Sequence, residues 1–114
     1  MDEARFRVGT FLGNQMSVVA IYGFRGTFAG NQEYDYTHPE VGAVHRCLLF
    51  LAQTDAVPVE DLARAECGKY GFPEPEFSSF GLLKVEVLNT DQYRGFAGFY
   101  EEALKNGNSL VYYP

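Results

Sequence analysis

Between Val41 and Ala52 the only strongly polar residues are His45 and Arg46. A stretch this apolar has to be buried on nearly every side, so the rest of the chain must be built around it. The residues just before it predict its form. Thr37-His38-Pro39-Glu40 has capping-box spacing, in which Thr37 and Glu40 each satisfy the other's free backbone N–H. Pro39 suits a first helical turn, where the N–H it lacks would be unpaired anyway. The spacing predicts a central, buried helix that opens at Thr37 and runs through Ala52.

The flanking segments supply partners for it. Residues 5–12 alternate, with Phe6, Val8, Thr10 and Leu12 on one face. Gly13-Asn14-Gln15 is turn chemistry, and residues 16–24 are rich in Val, Ile, Tyr and Phe, so the two runs read as a β-hairpin. Gly26 to Asn31 reads as a short strand or a turn. A second helix is predicted over 58–69, opened by Asp55 and Pro58 and closed near Gly68 or Gly71, with Val59, Leu62, Ala63 and Tyr70 on one face. Phe72 to Phe77 carries two prolines and reads as an extended acidic loop. Residues 81–89 alternate as a strand. Tyr93, Phe96, Ala97, Tyr100, Ala103 and Leu104 form the apolar arc of a third helix, which Gly107 ends, and Ser109 to Tyr113 is a last strand. Gly95 and Gly98 fall on that helix's polar side, where a loop or partner could pack close to the backbone.

The order ββ(β)ααβαβ predicts an α+β fold. Residues 1–114 form one compact domain, a mixed and mainly antiparallel sheet packed against about three helices. A hydrophobic content of 46% argues against disorder. A net charge of -6 disfavours nucleic-acid binding, which needs a basic face. Leu48 to Ala52 is far too short to span a bilayer, and the polar, acidic start has no signal-peptide run, so no membrane association and a cytoplasmic location are expected. Cys47 and Cys67 each lie within a predicted helix and read as reduced, core-filling thiols.

Little in the chain announces catalysis. No Cys-x-x-Cys or His-Glu-x-x-His occurs, and His38 and His45, seven apart on the predicted central helix, do not match a ligand set, so no metal or cofactor is expected. Glu66 stands on the apolar face of the second helix, and Arg46 is a guanidinium in an otherwise apolar stretch. The economical reading is a structural ion pair between Arg46 and Glu66 that joins the two helices. The catalytic alternative is a small enzyme using Glu66 or His45 as acid or base.

The segment Asn31 to Glu40 alternates carboxylates with tyrosines, and no Lys or Arg occurs between Gly26 and His45. Carboxylates steer cationic partners, and tyrosines add contact area at low entropic cost. Glu33, Tyr34, Asp35 and Tyr36 are therefore the candidate partner-binding residues, with Glu74 and Glu76 as a second acidic loop. The expectation by class is a non-catalytic inhibitor of the immunity-protein or antitoxin type. Such a protein blocks a basic partner, such as a nuclease toxin, by filling its cleft with carboxylates and aromatic rings. The alternative is a small ligand- or peptide-binding domain, dimeric if the Ser109–Tyr113 strand pairs with a second chain.

Overall fold

The computed structural model describes residues 18–84, 90 and 94–113. From Cys47 to Leu51 the apolar stretch is central and mainly buried as expected, but it is a strand, and Val41 and Val44 before it are exposed. β1 (Val18–Thr27) and β2 (Val44–Gln53) pair antiparallel along their whole length, from Val18 opposite Gln53 to Thr27 opposite Val44. β3 (Glu76–Leu83) lies antiparallel on the free side of β1, and β4 (Asn108–Tyr113) on the free side of β2. The sheet order is β3-β1-β2-β4. The described residues also form two α-helices: α1 (Glu60–Lys69) and α2 (Ala97–Asn106), the second led in by a 3-10 turn over Arg94–Phe96.

The described residues thus form a compact α+β domain with a four-stranded antiparallel sheet and two α-helices, not three. The missing helix is β2, and the physical reason for the difference is its position. Cys47, Leu49 and Leu51 point into a core shared with Ala63 and Cys67 of α1. Phe50 and Leu48 point the other way, into a second core with Ala103, Phe99 and Tyr100 of α2. A strand covered on both faces has no polar side and shows no alternation. The capping box caps nothing. Residues 37–43 are irregular, Pro39 is buried, and the His38 ring stacks on Phe28 at 5.1 Å and 11°. His38 and His45 therefore share no helix.

The other elements lie close to their predicted places. α1 starts at Glu60 without a side-chain cap; the Val59 N–H donates to the Tyr22 hydroxyl, which donates to Gln53 Oε1. Its end is a Schellman turn, with Phe72 N–H bonded to Cys67 O and Gly71 N–H to Gly68 O. Gly71 has φ +99 and lies under the Phe28 ring, so a side chain there would be both strained and overlapping. α2 ends at Gly107, as predicted, with φ +96. β3 begins at Glu76, earlier than the alternation of 81–89 implied, and takes in the end of the acidic loop. The strand read over 5–12, the turn at Gly13–Gln15 and residues 85–89 lie outside the described residues. Within the described sheet both sides of β1 are already paired, by β2 and β3. No helix among the described residues is long and apolar enough to cross a membrane.

Candidate functional site

The tyrosine–carboxylate connector crosses the C-terminal end of α1. Its backbone uses carbonyls that the helix leaves free: Glu33 N–H and Tyr34 N–H both donate to Lys69 O, at 2.7 and 3.2 Å, and Ala29 N–H donates to Gly71 O at 2.8 Å. From Asn31 to Thr37 exposure alternates strictly. Asn31, Glu33, Asp35 and Thr37 face solvent, while Gln32, Tyr34 and Tyr36 turn inward.

The inward tyrosines are anchored. The Tyr34 hydroxyl donates to Glu66 Oε1 at 2.6 Å, and its ring lies 4.7 Å from that of Tyr70. The Tyr36 hydroxyl donates to Tyr70 O, and its ring meets the Tyr70 ring edge-on at 5.2 Å. Burial raises the pKa of both phenols, and for Tyr34 the bond to Glu66 adds to the effect. Both remain neutral donors at ordinary pH.

Glu66 is the hub beneath them. It is buried, 8% exposed, and accepts from Tyr34, from Asn108 Nδ2 at 2.8 Å and from Lys69 Nζ at 3.3 Å. Asn108 in turn accepts from the Tyr70 hydroxyl. A buried carboxylate with three donors is the satisfied form of such a group. The Lys69 pKa is raised, chiefly by its hydrogen bond to Glu66.

The predicted Arg46–Glu66 pair does not form. Arg46 lies between Cys47 and His45 on β2, on the opposite face of the sheet from α1, and is exposed. The partners of Glu66 are Lys69, one helical turn on, and two residues distant in sequence. Asn108 and Tyr70 also belong to this network, and the sequence pattern does not mark them for it. The apolar face of α1 already held Tyr70, but nothing in the pattern singled out Asn108.

Glu33, Asp35, Glu74 and Glu76 are all exposed. Glu33 and Asp35 stand over the α1 face of the sheet. Glu74 and Glu76 flank Arg25 near the end of β1 from which the connector leaves. His45 is half-buried; its Nδ1–H donates to Tyr113 O at 2.7 Å, and its ring lies against Tyr112. Cys47 and Cys67 are buried, and burial pushes both thiols up to about 12, far from a reactive thiolate. No group of three His, Cys, Asp or Glu among the described residues is placed to hold a metal ion. Compared with known proteins, the chain matches no family model, no curated protein and no solved structure.

Proposed function

We propose that this chain is a non-catalytic binding domain that engages a basic protein through the outward row of its connector, as an immunity-protein or antitoxin-type inhibitor would. One observation carries the reading. Glu33 and Asp35 are exposed between inward residues whose hydroxyls are bonded to Glu66 and Tyr70 O. Carboxylates on a connector that is already ordered lose little freedom on binding, so more of their attraction survives as affinity. The tyrosines act as the connector's own anchors, rather than as the contact rings that a purely compositional reading suggests. Binding is favoured over catalysis by Glu66 because its carboxylate is already occupied by Tyr34, Asn108 and Lys69.

The test is capture with tagged protein from its source cells at low and high salt. The expected result is one basic protein retained in stoichiometric amount, held less as salt rises, and lost with the double variant Glu33→Lys, Asp35→Lys. Capture indifferent to both salt and charge reversal would sink the proposal.

A further inference from the structure

A different surface is built on the other face of the sheet. On the face that carries α2, a row of side chains crosses all four strands: Glu76, Arg25, Arg46 and Tyr113, each directly opposite the next in register. The following row is Ser79, Gly23, Leu48 and Val111. All of these except Val111 line a recess of about 420 Å³. Gly23 leaves room for the Ser79 hydroxyl, which sits where a Gly23 side chain would start, and a bulge in β3 opposite Gly23 and Phe24 brings Ser78 and Ser79 to the edge of the recess.

The central pair is unusual. Arg25 and Arg46 are like charges directly opposite on neighbouring strands, an arrangement that costs stability. Among the described residues neither guanidinium makes a hydrogen bond or an ion pair, and Glu76 beside Arg25 is equally unengaged. Each guanidinium offers a planar fork of donors that fits an oxyanion at two points. An oxyanion between them would relieve the repulsion and use both forks. The recess is of the size that takes a small organic ligand. Tyr113, 44% exposed, closes the row with a ring and a hydroxyl.

We infer that the recess between Arg25 and Arg46 binds the oxyanion, phosphate or carboxylate, of a small organic ligand whose uncharged part lies over Leu48 and Ser79. Glu76 restricts the class. It repels a second negative charge on the β3 side, so the ligand presents its anion at one end only. The site is on the opposite face from Glu33 and Asp35 and does not depend on what they bind.

The probes are phenyl phosphate, benzoate and inorganic phosphate, titrated by calorimetry and by NMR of the arginine side-chain N–H groups. The expected result is saturable binding of phenyl phosphate or benzoate below about 10 mM, with shifts centred on Arg25, Arg46, Leu48 and Ser79. The tighter of the two names the source of the anion. Arg46→Lys should weaken binding about tenfold, because it keeps the charge and loses the fork. Arg46→Glu should abolish it while leaving a folded protein, since it replaces a repulsive pair with an attractive one. No saturable binding of either organic probe, binding that survives Arg46→Glu, or inorganic phosphate binding as tightly as phenyl phosphate would each overturn the assignment.

Discussion

Tyr34 donates its hydroxyl hydrogen to Glu66 Oε1 at 2.6 Å, across a separation of 32 residues in sequence. This bond ties the connector to α1 and satisfies one of the three positions at which the buried carboxylate accepts. Tyr34→Phe removes the donor and keeps the ring. The expected loss is about 1.5–3 kcal/mol, as for a hydrogen bond to a charged group. Urea unfolding at neutral pH measures it, and an unchanged midpoint would mean that the connector is held by its backbone bonds alone.

The Cys47 and Cys67 thiols are raised to about 12 by burial, and the Tyr34 phenol is raised as well. The folded chain therefore holds these protons more tightly than the unfolded chain does. Their contribution to stability is complete below about pH 9, where unfolded thiols begin to ionise, and is lost as the pH climbs toward about 12. Unfolding midpoints should be level from neutrality to that point and fall above it. A midpoint that rises between pH 9 and pH 10.5 would contradict this.

The same burial predicts slow thiol chemistry. In the native protein a disulfide reagent at about pH 8 should leave both cysteines unmodified over the time in which the urea-unfolded chain reacts completely. Rapid native modification of either one would show that its side of the sheet opens readily.

Arg46→Glu gives Arg25 an opposite charge across β1 and β2 in place of a like one. It should stabilise the fold by about 0.3–1 kcal/mol at low salt, with the gain shrinking as salt is added. A loss of stability instead would mean that the two guanidiniums are already compensated in the free protein.

Gly98 lies in the first turn of α2, is exposed, and has open space where a side chain would start. The close approach that two glycines on a polar helix face suggested is absent at Gly95 and Gly98 among the described residues. Gly98→Ala should therefore stabilise by about 0.5 kcal/mol, through the lower entropy of the unfolded chain. Thermal unfolding is sufficient to read it.

These cases show where the sequence spoke clearly. The arc from Phe96 to Leu104 and the stop at Gly107 specified α2, because a helix with one wet face writes its period into the chain. The prolines and acidic residues after Phe72 likewise marked a break before β3. β2 was illegible for the opposite reason: covered by α1 on one side and α2 on the other, it kept only the information that it was buried. The connector was legible as a composition, and its alternation was visible in the residues themselves. Which half of that alternation faced inward depended on Glu66 and Asn108, whose approach is a property of the sheet order. Arg46 stands out in the sequence as a guanidinium in an apolar stretch, but a pairing with Glu66 follows only from a helix, and the strand β2 turns Arg46 to the face away from α1.

The sheet order β3-β1-β2-β4 also bears on how the molecule comes into being. The earliest described strand is an interior one, and its outer neighbour is not complete until Leu83 has been synthesised. β2 waits longer still, for residues beyond Asn108. Until those segments emerge, β1 and β2 of a nascent chain each have an edge that no other described strand covers. They close only when late segments return to them, and such distant pairings form slowly. The last six-residue strand, β4, is what takes the second of these edges out of circulation, so a chain that loses it should be trapped by aggregation before it has a chance to be unstable.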